Sequence, residues 1–441
     1  MLHLEIEENH DHIVFLLNLL GSLIDCTQVD DFMKYQLIEV LHSKLWEDNL
    51  RIKEVSMKSL FLLCKKSEFD FMLIFENLIE RCNESKNEDL VVIFLKNLET
   101  LQLTFFAEKL STLVVEMIKN PLFSSSRDCR VHLLTFMQNI MLSIPQLNNE
   151  LTKQIFMYVC KNLRNFNQEI RKKCLDVFCC LNFKCIDDDK LIMVLQKEKF
   201  EDYQPQKKGG QQGNNKYNNF NNNNNNGQNN NNNNKNQNNK HKGIENKTEK
   251  TIELKELKSI NDNILIGSIL HVLEDEMPEI RIASIKALLV LGKLNAVGKI
   301  VDVKELLLYF LNDDFDQVRI KSLFALQELF SEIAFSDFEL ETLQFNMKEK
   351  FYELRVAIYK LLSNFAPRKP GQLVMVLRKL IENLSGFRED APWIYKTIKK
   401  VFEKNKKYQI DVLNEILFSD QVNIVQEKDT KDPEAVVRII L

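Results

Sequence analysis

The sequence predicts an all-α protein, a solenoid built from stacked helical hairpins. Three observations predict it. The phrase "LEDEMPEIRIASIKALLVLG" (Leu273–Gly292) is followed by a near copy, "LNDDFDQVRIKSLFALQELF" (Leu311–Phe330). In both, the apolar residues fall at offsets of 5, 8 and 11 from the first, which is one face of an α-helix at about 100° per residue. Only 11 Gly and 8 Pro occur in 441 residues, and no stretch alternates long enough to build a sheet.

Taken along the chain, the same frame recurs. Ile52-Lys53 leads to Met57, Leu60 and Leu63. A weaker copy at Leu90 leads to Leu95, Leu98 and Leu101, with Val91 where a basic residue belongs. Cys129-Arg130 leads to Leu134, Met137 and Ile140, and Ile170-Arg171 to Leu175, Phe178 and Leu181. Ile280-Arg281 leads to Ile285, Leu288 and Leu291, Val318-Arg319 to Leu323, Leu326 and Leu329, and Leu354-Arg355 to Tyr359, Leu362 and Phe365. The starts lie 36 to 41 residues apart within each half. A helical repeat near that period is the signature of HEAT or armadillo arrays, in which each hairpin buries its apolar face only by stacking on its neighbours. The acids ahead of the marked helices, Asp275, Asp313 and Asp314, are expected to act as N-caps and to meet the positive end of the helix dipole. Arg281, Arg319 and Arg355 are expected to bond acids or carbonyls of the adjacent repeat, since one Arg per repeat is too sparse for a nucleic-acid patch.

One interruption divides the array. From about Tyr203 to Lys242 the composition collapses into Asn, Gln, Gly and Lys, a stretch that cannot bury apolar surface and is predicted to be a disordered loop. The organisation read from this is HEAT-like repeats over 1–200, an Asn-rich insertion over 201–250, and further repeats over 251–441. The charged segment "TEKTIELKELKSINDNILIGSILHVL" restarts the stack as a helix.

Several functions are excluded or disfavoured. No uncharged apolar run reaches 18 residues, so no transmembrane helix is predicted. "HIVFLLNLLGSLIDC" follows acidic rather than basic residues and reads as a repeat helix, not a signal peptide. A net charge of −4 argues against nucleic-acid binding as the main activity. The nine cysteines include no CxxC pair, and no His lies near Cys160, Cys174, Cys179, Cys180 and Cys185. They read as small core hydrophobes of a reducing compartment. His10 and His12 do not share a helix face, so a metal site there is not predicted. Asp187, Asp188 and Asp189 read as a cap for the helix that follows, and Lys396–Lys407 as a solvated basic face. No nucleotide-binding, hydrolase or metalloprotease motif occurs. No catalytic, cofactor-binding or metal-ligating residues are therefore assigned.

The stretch from Leu265 to about Val401 resembles the Integrator complex subunit 4 family. Its most specific piece is Gly267–Leu291, where Leu273–Met277 and Ile280–Ala283 match the family's pattern. Asn312, Asp313, Val318, Arg319 and Ser322 match the following repeat, and "YELRVAIYKLLSNF" and "LRKLIENLSGFREDAPWIYKTIKKV" continue in order. "DDDKLIMVLQKEKFEDY" resembles the segment ahead of a charged insertion in that family, where the Asn tract stands here. The resemblance implies a nuclear, non-catalytic scaffold for a complex that cleaves nascent RNA polymerase II transcripts, including small nuclear RNA precursors. It implies protein partners, among them a metallo-β-lactamase-type nuclease pair, and no cofactor. Val437-Arg438 reads as the opening of one more marked helix cut after its first turn, so the sequence is expected to be either part of a longer one or a short form without the C-terminal region that the resemblance implies. A generic HEAT adaptor or transport receptor, and direct RNA or DNA binding along one face, stay open as other classes.

Overall fold

The computed structural model describes residues 9–26, 31–64, 68–100, 107–144, 147–195, 265, 267–294 and 303–419. Among them there is no strand, only an isolated bridge between Ile333 and Phe365. The helices run, in order, α1 (His10–Cys26), α2 (Asp31–Lys44), α3 (Leu50–Cys64), α4 (Glu68–Ser85), α5 (Glu88–Leu98), α6 (Ala107–Lys119), α7 (Arg127–Ser143), α8 (Asn149–Asn162), α9 (Gln168–Cys180) and α10 (Asp188–Met193). After the insertion come α11 (Ser268–Leu273), α12 (Pro278–Gly292), α13 (Val303–Tyr309), α14 (Asp316–Leu329), α15 (Asp337–Asn346), α16 (Tyr352–Leu362), α17 (Pro370–Gly386), α18 (Ala391–Lys404) and α19 (Gln409–Ser419).

They form two rows. Helices α1, α3, α5, α7, α9, α12, α14, α16 and α18, which include all those carrying the repeat frame, pack side by side, each on the next. Helices α2, α4, α8, α11, α13, α15 and α17 each pack on the first-row helix that follows them in the chain. This is the all-α, HEAT-like stack of hairpins that the sequence predicts.

Local chemistry sets the starts of the first-row helices, and it differs between the halves. In the N-terminal half a short polar side chain caps each one. Asn87 accepts from Leu90 N at 3.2 Å, Ser126 from Cys129 N at 3.2 Å, and Asn167 from Glu169 N at 2.9 Å. In the C-terminal half the N-cap positions are Met277, Phe315 and Phe351, none of which caps with its side chain. In the second row, Ser336 and Glu339 form a reciprocal capping box.

The core lies between the rows. Ile52, Leu134, Leu175, Leu288, Val318, Leu323, Leu326 and Leu354 are buried, as are Ile280 and Ile285. Phe61, Phe75, Phe94 and Phe123 chain through successive hairpins with ring centroids 5.3 to 6.1 Å apart. The repeats on the two sides of the insertion meet directly. Gly267 N donates to Met193 O at 2.9 Å, and Ile269 N donates to Val194 O at 3.0 Å. Gly267 has φ 65°, a left-handed conformation that glycine adopts without strain, and it starts α11 there. The described residues before and after the insertion belong to one compact unit.

Two local expectations need correction. Asp187 stands at the N-cap of α10 but makes no side-chain cap, and the helix ends at Met193. Asp275 and Asp313 are not N-caps either, because each sits two residues ahead of one. The Asn-rich tract, the charged restart before Leu265, Leu101 and Val437-Arg438 lie outside the described residues. No helix among the described residues is long and apolar enough to cross a membrane.

Candidate functional site

The predicted signature residues separate into a buried apolar set and a line of guanidinium groups. Arg281 Nε and Nη2 donate to the two carboxylate oxygens of Asp313 at 2.7 and 2.8 Å. Its Nη1 donates to the carbonyls of Asp275 and Glu276 at 2.6 and 3.2 Å. Arg355 does the same two repeats along. Nε and Nη2 reach Asp390 at 2.6 and 3.0 Å, and Nη1 reaches the carbonyls of Glu349 and Lys350, both at 2.9 Å. Arg171 holds Asp275 at 2.6 and 2.9 Å and the carbonyls of Asn165 and Phe166, both at 2.9 Å.

The geometry follows from spacing. Each Arg sits one turn into its helix, so its fork reaches back to carbonyls five and six residues earlier and outward to the next repeat. The receiving acid lies five residues before the next repeat's first apolar position at Asp275 and Asp313, and four before Ile394 at Asp390. Asp275 and Asp313 also accept from Met277 N at 3.0 Å and Phe315 N at 2.9 Å. These Asx turns hold each carboxylate in the loop where the guanidinium needs it. They replace the capping role that the sequence suggests for the same residues; Asp314 beside them is exposed.

Arg319 is the variant member. It donates to Asp316 in its own helix and to Asn346 Oδ1 at 3.2 Å, while Glu349 stands 3.6 Å away. Its Nε is buried without an acceptor. The next repeat offers Glu349 where its neighbours offer Asp, and the longer side chain remains over one-third exposed.

Around Arg355 the pair widens into a buried polar network. Tyr359 Oη donates to Asp390 Oδ2 at 2.9 Å and accepts from Asn383 Nδ2 at 3.0 Å. Asp390 is fully buried, and the Arg355 guanidinium lies 3.7 Å from the centroid of Phe387. Burial, opposed by hydrogen bonds from Asn383, leaves the Tyr359 hydroxyl well above the ordinary phenol range. The frame marks Tyr359 as an apolar position, so sequence reasoning missed its hydroxyl, and it also missed Asp390. The available signal was an acid four or five residues before each new repeat.

The Asp275, Asp313 and Asp390 carboxylates are each bonded to a guanidinium, and each guanidinium spans two repeats. Buried pairs of this kind are weak evidence of net stability, because desolvation of both charges offsets their attraction.

The other sequence candidates fall elsewhere. Cys160 and Cys174 are buried, with no disulfide among the described cysteines. Burial pushes the Cys160 thiol up to about 12. Among the described residues no group of three or more His, Cys, Asp and Glu is placed to hold a metal, and His10 Nδ1 lies 3.1 Å from Asn49 Nδ2. The basic stretch is partly engaged. Lys404 donates to Asn364 at 3.3 Å, Lys407 lies 4.5 Å from the Tyr408 ring, and Lys399 stands 4.0 Å from Glu403.

No family model matches the chain. It is similar to Integrator complex subunit 4 of Xenopus laevis, at 27% identity over 184 residues, which is 41% of this chain and 18% of that protein. The Homo sapiens subunit is 26% identical over 40% of this chain and 18% of its own length. A Dictyostelium discoideum homolog is 24% identical over 33% of this chain. The match thus spans less than a fifth of the length of these relatives. The solved karyopherin Kap121p, bound to the SUMO protease Ulp1p, aligns with a TM-score of 0.46 at 13% identity, over 94% of this chain and 42% of that one.

Proposed function

We propose that this chain, related in sequence to Integrator complex subunit 4, is a non-catalytic scaffold of an Integrator-type RNA cleavage complex. It acts in the nucleus and supports 3′-end cleavage of small nuclear RNA precursors and other RNA polymerase II transcripts. The observation that carries the reading is the sequence likeness to subunit 4 of the complex from several animals. The stacked hairpins support it, because a solenoid offers extended surface rather than an enclosed site. In this reading the chemistry belongs to protein partners, a metallo-β-lactamase-type nuclease pair, and contact with the polymerase is indirect. The signature residues Ile280, Arg281, Ile285, Leu288, Val318, Arg319, Leu323, Leu326, Leu354 and Arg355 are structural. They hold a single array, 1–200 joined to 251–441 around the insertion 201–250, and do not contact ligands.

Affinity purification of the tagged protein tests this. Integrator subunits are expected to co-purify, and depletion is expected to leave small nuclear RNA precursors extended past their normal 3′ ends. Normal processing after depletion, with no Integrator subunit recovered, would make a generic HEAT adaptor the better reading.

A further inference from the structure

Helices α14, α16 and α18, from three successive repeats, enclose a groove of about 270 Å³ that opens to solvent. Its floor is apolar and buried, made by Ile320, Val356 and Ala357. Its walls are aromatic. Phe324 and Tyr352 are each 40% exposed, and Trp393 is half-buried. Trp393 Nε1 donates to Tyr352 Oη at 3.2 Å, which fixes the indole across the opening.

Two ammonium groups stand over the same indole. Lys360 Nζ is 4.6 Å from the Trp393 ring centroid and 5.9 Å from Phe324, and Lys396 Nζ is 5.5 Å from Trp393. Neither lysine has an ion-pair partner among the described residues. The groove's lining contains one acid, Glu353. The site therefore combines an unfilled apolar hollow with unneutralised positive charge at its rim. Exposed aromatic walls with a charged rim have the anatomy of a binding hot spot.

We infer that this groove binds a short acidic segment of a partner protein, with one bulky apolar side chain seated between Phe324 and Trp393. Charge complementarity selects the occupant. Acidic flanks pair with Lys360 and Lys396, while the floor, which presents no polar group, takes an apolar side chain and offers nothing to a phosphate. Glu353 further disfavours a polyanion of uniform charge. The inference stands on the groove alone and needs no identification of the complex. Its failure leaves the scaffold reading intact, and the converse also holds.

The test uses the full chain with Trp46→Phe, which leaves Trp393 as the sole tryptophan of the two. Synthetic peptides with Asp and Glu flanking a central Phe or Leu are titrated against its emission, beside a control with Ser at the centre and an oligouridylate. The expected result is a saturable change with the apolar peptides and none with the Ser control. In K360E/K396E, binding is expected to weaken by about tenfold or more, with an unchanged melting temperature. Absence of a saturable response to any of the peptides, equal binding of the Ser control, or equal affinity in K360E/K396E would overturn the inference. Competition by oligouridylate at comparable affinity would overturn it in favour of a nucleic-acid site.

Discussion

Arg171 and Asp275 are 104 residues apart in the chain, yet Arg171 Nε donates to Asp275 Oδ2 at 2.6 Å and Nη2 to Oδ1 at 2.9 Å. Both are buried, at 8% and 3% side-chain exposure. The pair joins the last marked helix before the insertion, α9, to the loop before the first one after it, α12. Its geometry matches that of Arg281 with Asp313, where no insertion intervenes.

Replacing Asp275 with Ala is expected to destabilise the protein by about 3–5 kcal/mol, because it strands a buried guanidinium. The double variant R171M/D275L is expected to recover most of that loss, since neither partner is then left charged and unpaired. Chemical denaturation of the single and double variants measures both. Equal loss in the two would mean that the pair contributes net stability rather than register.

Replacing Tyr203–Lys242 with a short Gly/Ser linker is expected to leave helicity and melting temperature nearly unchanged. The backbone bonds from Gly267 to Met193 and from Ile269 to Val194 close the stack without the tract. Each doubling of loop length costs only about 0.6 kcal/mol in closure entropy. Loss of a cooperative transition in calorimetry would show that the tract contributes packing.

Leu288 is fully buried in the first row. Leu288→Ala is expected to cost about 2–5 kcal/mol through lost burial and the cavity left behind. Leu288→Asp is expected to be more severe, since the carboxylate has no partner there. By contrast, Phe338→Asp changes a side chain that is 77% exposed on α15 and is expected to shift stability by no more than about 0.5 kcal/mol. Thermal melts of the three variants check the ranking.

The buried thiols are expected to resist alkylation and to make the protein sensitive to alkali. Burial pushes Cys82, Cys160 and Cys179 up from 9.0 to about 12. These groups hold their protons more tightly folded than unfolded. Their contribution to stability is therefore complete below pH 9 and is lost as pH rises from about 9 to 12. Iodoacetamide with peptide mass mapping at mildly alkaline pH is expected to label Cys180 and Cys185, which are partly exposed, ahead of Cys64, Cys82, Cys129, Cys160 and Cys174. Prompt labelling of Cys160 or Cys174 would contradict the buried placement.

The helical class, the period and the buried face were legible in the sequence, because a helix writes its packing into every third or fourth residue. Ile280, Ile285 and Leu288 needed no partner to be recognised as core. The recurring Arg was legible too, but its partner was not. A side-chain fork reaches across space, and Asp275 lies beyond a long low-complexity tract from Arg171. The frame also made Asp275 and Asp313 look like caps, since an acid before a helix commonly is one; only the stacked neighbour's guanidinium decides otherwise. Tyr359 read as apolar for the same reason, its hydroxyl being assigned by an Asp390 that local pattern cannot reach. The groove at Trp393 draws one wall from each of three repeats, so no single repeat encodes it. What a residue does to its own helix follows from chain-local geometry, which the sequence determines. What it does to the next repeat depends on how the hairpins stack, and only the tertiary structure decides that.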